Sequence, residues 1–225
     1  SDCSIFYQHL NSRLKQKFHF LSIFGGPHVT FFPEFIEQFE DIDIICIGEG
    51  ERAFDALLKS IQKNNDYSCL PNLWVRKEKN VVKNKLASLI EPLEQIGFPD
   101  RALLYDTNEC LRDNPVKIFM TTRGCPFECT YCFNHSYHEL YKGLGKVMRR
   151  LKVDHVIKEI QFVKQNYPLK TVSFLDDTFN VMPDWIDEFS QKYRNTIGLP
   201  FTCCARFDLL DEEIVKNLKK AGCIA

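Results

Sequence analysis

The sequence has no run of about 18 apolar residues, the length a membrane-crossing helix requires. Its opening stretch, SDCSIFYQHLNSRLKQ, has no apolar centre of the kind found in a secretory signal. The chain is therefore expected to be soluble and cytoplasmic, with no membrane partner. It also lacks an excess of either charge. Lys and Arg number 29 against 30 for Asp and Glu, a formal net charge of −1, so there is no overall basic field and no nucleic-acid partner is expected. The cysteine spacing of a small secreted scaffold is missing too. The ten cysteines lie in apolar runs such as DIIC and FTCCA and in one tight cluster, which favours a reducing compartment and a metal site over disulfides. What is present is apolar mass. At 225 residues and 44% hydrophobic, the chain can bury the cores of one or two domains.

Apolar runs alternate with helical periodicity. FHFLSIF (18–24) reads as a buried strand, Gly25-Gly26-Pro27 as a tight turn and PEFIEQFE (33–40) as a short helix. IDIICIG (42–48) is a second strand. ERAFDALLKSIQK (51–63) is a helix with Ala53, Leu57, Ile61, Phe54 and Leu58 on one face. This β-α-β-α order predicts a parallel sheet covered by helices. LWVRKEKNVVKN (73–84) reads as a hairpin turning at Glu78 to Asn80, and the proline-bearing stretch 86–114 as a linker.

From residue 115 the α/β pattern resumes. VKIFMTT is a strand, VDHVIKEIQFVKQN (153–166) a helix with Asp154 as N-cap and Val156, Ile160 and Val163 on its buried face. Strand TVSFL, helix PDWIDEFSQKYRN with Pro183 in its first turn, strand FTCCARF and helix DEEIVKNLKKAG follow, and CIA would open a fourth strand. The missing initiator methionine and the stop at that strand read as a fragment cut at both ends.

The chemistry concentrates in TTRGCPFECTYCFN (121–134). Cys125, Cys129 and Cys132 have the spacing C-x3-C-x2-C, with Tyr131 before the third. Three thiols leave one over in a disulfide scheme and fall one short of a closed metal site. The loop follows the first strand of a β-α series, at the strand end where parallel β/α architectures carry their chemistry. Structural zinc completed by His135 or His138 is one reading. An iron–sulfur cluster with one iron left open is the other, since soft thiolates suit both.

RGCPFECTYC resembles the signature of the radical S-adenosylmethionine (SAM) superfamily. GGPHVTFFPE (25–34) followed by ICIGEGE (45–51) resembles the cobalamin-binding domain that precedes the SAM barrel in one class of these enzymes. The resemblance implies a partial doubly wound parallel-sheet cobalamin-binding domain over 1–85, the linker, and the first part of a radical SAM (β/α) barrel over 115–225. It implies a [4Fe-4S] cluster on Cys125, Cys129 and Cys132, SAM cleaved to a 5′-deoxyadenosyl radical, and Tyr131 beside the adenine. Cobalamin would lie against Gly25, Gly26, His28, Gly48, Glu49, Gly50 and Glu51, although glycines after a strand also simply make turns and acids at a helix start complement its dipole. His28 does not stand where the cobalt ligand of such domains would. The implied activity is methylation of an unactivated centre in a small-molecule or natural-product substrate, with radical rearrangement or ring closure second and a non-catalytic zinc or iron–sulfur module as the rival class. A reducing electron donor such as flavodoxin or ferredoxin is the implied protein partner.

In TVSFLDDTF, alternation groups Thr171, Ser173, Leu175 and Asp177 on one face and Val172, Phe174 and Asp176 on the other. Asp177 is the candidate for a SAM or substrate contact, or else both acids end the strand and cap the next turn. In FTCCARF the same rule groups Thr202, Cys204 and Arg206, making Arg206 a candidate carboxylate partner and the two cysteines small buried residues. KGLGKVMRRLK (142–152) reads as a solvated basic loop, or a dock for an acidic electron donor.

Overall fold

The computed structural model describes residues 2–225. The chain divides into two compact units, residues 1–89 with 140–144, and residues 90–139 with 145–225.

The first unit begins with helix α1 (Asp2–Lys15), followed by β1 (Ile23–Phe24), the short helices α2 (Pro27–Phe31) and α3 (Phe35–Gln38), β2 (Ile44–Cys46), α4 (Glu51–Gln62) and the hairpin β3 (Leu73–Lys77) and β4 (Asn80–Lys83). The sheet order is β1-β2-β3-β4. Only β1 and β2 are parallel; β3 runs antiparallel to β2 and pairs with β4. The sheet is therefore mixed, which corrects the parallel expectation. The tight turn at Glu78, with φ 54°, folds the hairpin back so that it extends the same sheet instead of standing apart. Ile42, Ile44, Ile45, Leu57 and Leu73 are fully buried in this unit. The expected strand 18–24 shrinks to its last two residues. Phe18, Phe20 and Leu21 are exposed, because the segment joins the ladder only where it meets Ile44. On α4, Ala53 and Leu57 turn inward, while Phe54, Leu58 and Ile61 face outward.

The second unit holds the short helices α5 (Ala102–Tyr105) and α6 (Glu109–Asp113), then β5 (Val116–Phe119), β6 (Thr122–Arg123), α7 (Phe133–Leu140), β7 (Arg149–Arg150), α8 (Val153–Asn166), β8 (Thr171–Phe174), α9 (Pro183–Thr196), β9 (Phe201–Cys203) and α10 (Glu212–Ala221). The last residue of α7 falls in the first unit. β5, β8 and β9 form a parallel sheet in that order, and a parallel bridge from Phe201 to Cys223 begins a fourth strand, as CIA promised. The alternation expected for β8 is observed. Val172, Phe174 and Asp176 are buried, and Leu175 and Asp177 are exposed. Phe174 is the hub of the core, with Phe119, Phe179, Phe189, Tyr193 and Phe201 around its ring. On the other side of the sheet Val116, Ile118, Met120 and Leu175 are exposed.

Helix ends follow their local chemistry. Asp211 caps α10 by accepting from the Ile214 amide at 2.7 Å, and Gly222 closes it in the left-handed conformation. α8 departs from expectation. Its N-cap is Lys152, whose amide donates to Glu94, while Asp154 lies in the first turn and pairs with Lys192. Among the described residues no helix is long and apolar enough to cross a membrane.

Candidate functional site

The cysteine loop leaves the carboxyl end of β5 and is held at its start by one buried carboxylate. Asp176 is 1% exposed, and its Oδ1 accepts from the amides and hydroxyls of both Thr121 and Thr122. Burial pushes its carboxyl above the ordinary value of 3.8, against the opposing pull of these donors and Arg150, and Oδ2 has no partner. The next two residues form β6, which pairs antiparallel with β7. The stretch 142–152 is thus a solvated loop only in its first part, where Lys142, Gly143, Gly145 and Lys146 are exposed, and its end is the strand β7. Arg149 is buried, and the Arg150 guanidinium lies 3.6 Å over the Trp185 ring, where desolvation lowers its pKa to about 10. A guanidinium tolerates such burial because a flat, weakly hydrated cation stacks on an aromatic face.

Gly124 then turns the chain with φ +72°. A Cβ there would come within 2.7 Å of the Val147 carbonyl oxygen, so glycine is required by close backbone approach. Cys125 is buried, and its carbonyl oxygen lies 2.8 Å from His138 Nε2 on α7. Cys129 and Cys132 are partly exposed and are joined by a turn in which the Cys132 amide donates to the Cys129 carbonyl.

Each of the three sulfurs has its own polar neighbour. Cys125 Sγ is 3.4 Å from the Thr178 hydroxyl, Cys129 Sγ is 3.5 Å from Arg206 Nη1, and Cys132 Sγ is 3.5 Å from Asn134 Nδ2. Asn134, 1% exposed, also donates to Asp177 Oδ2 at 3.0 Å. Among the described residues no three His, Cys, Asp or Glu side chains gather closely enough to share a single ion. A four-iron cluster asks for something different, since each thiolate binds its own iron and the sulfurs must stand apart around a larger body. Three soft donors on one loop, with N–H donors from Arg206 and Asn134 beside Cys129 and Cys132 and the Thr178 hydroxyl, which itself donates to the Asp177 carbonyl, beside Cys125, fit that group. The zinc alternative fits poorly, because His138 Nε2 is engaged with backbone and His135 is exposed.

Of the residues singled out in sequence, the structure brings Asp177 and Arg206 to the cysteine loop. Tyr131 is on the loop, 92% exposed. Arg206 does not offer a free fork, since its Nε and Nη2 bind Asp208 at 3.0 and 2.6 Å. Cys204 is exposed instead of buried, and Cys203 lies beside Cys223, with 3.9 Å between the sulfurs. Asn134, Thr178 and Asp176 were missed as contributors. Asp176 had a legible signal, because alternation placed a carboxylate on the core face, where it must find donors.

In the first unit the two glycine motifs have different surroundings. Gly25 and Gly26 have no atom within 4 Å of a Cβ position, and Gly25, though not Gly26, lines a cavity of about 850 Å³ together with His28, Tyr7, Leu14, Phe24 and Phe32. His28 packs edge-on to Phe35, and burial lowers its pKa. Gly48 is filled from its own unit. A Cβ there would sit 1.7 Å from the Tyr141 hydroxyl, which accepts from the Glu49 amide. Thr30 accepts from the Gly48 amide, and Asn72 donates to the Glu49 carbonyl. Gly50 is the N-cap of α4 and Glu51 its first residue. Gly48, Glu49, Gly50 and Glu51 do not line the cavity.

A parallel β/α sheet with a three-cysteine loop at its first strand end defines a class, and the sequence of that half agrees. Residues 119–225 match the sequence model of the Radical SAM superfamily. The chain is 29% identical over 203 residues to an uncharacterized methyltransferase of Pyrococcus horikoshii, covering 89% of this chain and 43% of that protein. It is 27% identical over 171 residues to the cobalamin-dependent radical SAM methyltransferase TokK of Streptomyces tokunonensis, covering 72% and 24%. In fold it is similar to the radical SAM methyltransferase TsrM of Kitasatospora setae, solved with cobalamin and a [4Fe-4S] cluster. The TM-score is 0.71 at 18% identity, over 96% of this chain and 43% of that one. The chain thus spans less than half the length of each.

Proposed function

We propose that the chain is part of a cobalamin-dependent radical SAM enzyme that methylates an unactivated centre of a small-molecule substrate. The observation that carries the reading is the set of three cysteine sulfurs at the first strand end of a parallel sheet, each with its own hydrogen-bond partner. Cys125, Cys129 and Cys132 would hold a [4Fe-4S] cluster, and the region of Gly25, Gly26 and His28 would hold cobalamin. When bound, these groups supply the electron that cleaves SAM and the methyl group that is transferred.

The protein's own part is to bind, orient and shield. The four donors that Asp176 accepts pin the start of the cysteine loop to β8, so the thiolates are presented from a fixed backbone. Asn134 links Cys132 to Asp177, which orients that carboxylate at the β8 end, where a polar substrate or SAM group would meet it. Apolar Ile118, Met120 and Leu175 line the adjoining sheet face and would keep water from a reactive intermediate. In this reading residues 1–85 are the cobalamin unit, 86–114 the linker and 115–225 the beginning of the SAM barrel, with a low-potential flavoprotein or iron–sulfur protein as electron donor in the cytoplasm.

Anaerobic reconstitution with iron and sulfide tests the cluster. The expected product contains about four irons per chain, with broad brown absorption that bleaches on reduction, and Cys129→Ala loses it. Stoichiometric zinc with no iron, unchanged in Cys125→Ala, would refute the reading. Cobalamin is tested by equilibrium dialysis of the full-length protein. Gly25→Val is the better probe than Gly26→Val, because Gly26 has φ +93° and any side chain there strains the backbone whether or not a ligand binds. Equal retention by wild type and Gly25→Val would remove the cobalamin assignment.

A further inference from the structure

Of the three sulfur partners, Arg206 is held most firmly. Its backbone is clamped by the amide of Asn180, a residue only 1% exposed: Asn180 Nδ2 donates to the Arg206 carbonyl, and the Arg206 amide donates to Asn180 Oδ1, both at 2.9 Å. Its side chain is fixed on two further sides. The guanidinium forms a fork on Asp208 through Nε and Nη2 and lies 3.9 Å over the Phe127 ring, inside the cysteine loop itself. What remains is Nη1, and it points at Cys129 Sγ at 3.5 Å.

This arrangement bears on which task the arginine can perform. A guanidinium recognises a ligand carboxylate best by presenting two parallel N–H groups. Here that edge is taken by Asp208. The Asp208 charge also offsets much of the guanidinium's own, so the pair delivers a directed N–H to sulfur more than a bare positive field. Hydrogen bonds to cluster sulfurs stabilise the more negative, reduced state and raise the reduction potential.

We propose that Arg206 is a positioning residue that donates a hydrogen bond to the Cys129 thiolate and raises the potential at which the cluster accepts its electron, with Asn180 and Asp208 as its braces. The inference rests on the reading that Cys125, Cys129 and Cys132 hold a four-iron cluster. The step it affects is a one-electron transfer from a low-potential reductant to the cluster, in which no covalent bond forms or breaks. The hydrogen bond to sulfur is present before and after and is stronger afterwards.

The test is a redox titration of the reconstituted protein without SAM, with titanium(III) citrate as reductant and the paramagnetic signal of the reduced cluster as readout. Wild type and Arg206→Gln are expected to take up equal iron. The midpoint of the variant should lie lower by the equivalent of a roughly tenfold change in the reduction equilibrium, about 59 mV for one electron. Arg206→Lys should recover part of the shift. Equal iron with an unchanged midpoint in Arg206→Gln would overturn the inference and leave the cluster reading intact. An unchanged midpoint with weakened SAM binding would assign Arg206 to SAM instead. Failure of wild type to assemble the cluster would refute the underlying reading itself. If Arg206→Gln loses the cluster, protein grown with 15N-guanidino arginine decides the matter. A nitrogen coupling to the reduced cluster in wild type that is absent from Arg206→Lys supports the hydrogen bond, and identical spectra overturn it.

Discussion

Asp176 concentrates the energetics of the cysteine loop in one oxygen. Two backbone amides and two hydroxyls converge on Oδ1 in a region closed to water, so removing the carboxylate strands four donors at once. Asp176→Ala should destabilise the protein by about 3 kcal/mol or more, since each buried unsatisfied group costs about 1–3 kcal/mol. The direction of its pKa shift sets a pH signature. A carboxyl whose folded pKa is raised holds its proton more tightly in the folded than in the unfolded chain. Its contribution to stability is thus greatest below 3.8 and falls as pH rises from there through the folded value, as the buried group is forced to ionise. Asp176→Asn keeps the acceptor and removes the ionisation. Urea midpoints measured between pH 4 and pH 7 should therefore decline less steeply with pH in the Asn variant than in wild type; parallel profiles would show that other groups compensate for the desolvation of Asp176.

At the scale of elements, the β2–α4 turn shows how a motif with a ligand-binding look can be a packing device. Gly48 has φ +74° and leaves the space that the Tyr141 ring enters, while Thr30, Tyr141 and Asn72 each bind a backbone group of Gly48 or Glu49. Gly48→Ala must either expel Tyr141, which is 1% exposed, or rebuild the turn, so a loss of about 3–5 kcal/mol is expected, as for emptying a large aromatic site. Tyr141→Phe loses only the hydroxyl and leaves the Glu49 amide short of its acceptor, at about 1–2 kcal/mol. The contrast can be read from chemical denaturation of the two variants. If Gly48→Ala were the milder change, the turn would not be the socket for Tyr141. The glycines after β1 behave otherwise, with open space over Gly25, which lines the cavity, and over Gly26.

At the scale of the whole molecule, each unit carries one of the two tryptophans, Trp74 in the first and Trp185 in the second. Trp185 stacks on Phe189 and under Arg150, the residue whose strand pairs with the start of the cysteine loop, so its fluorescence reports on the unit that would hold the cluster. A group bound by the folded state alone stabilises it by mass action. Reconstituted Trp74→Phe protein should consequently unfold at higher urea, by Trp185 fluorescence, than the same protein without iron. Cys129→Ala in that background should show no such gain, and an equal rise in both would point to iron bound away from the loop. The sequence alone determined a good deal: the three-thiol motif, the parallel order of β5, β8 and β9, the fourth strand at Cys223 and the face on which Asp177 lies. These depend on periodicity and spacing, which are properties of neighbouring residues and survive without knowledge of the fold. The tertiary structure decided what fills the space around them. It turned β3 and β4 into antiparallel members of the first sheet, seated Tyr141 against Gly48, and aimed Arg206 at Cys129 from 77 residues away. Such pairings depend on distances closed by the folded chain, and a local pattern of residues carries no record of them.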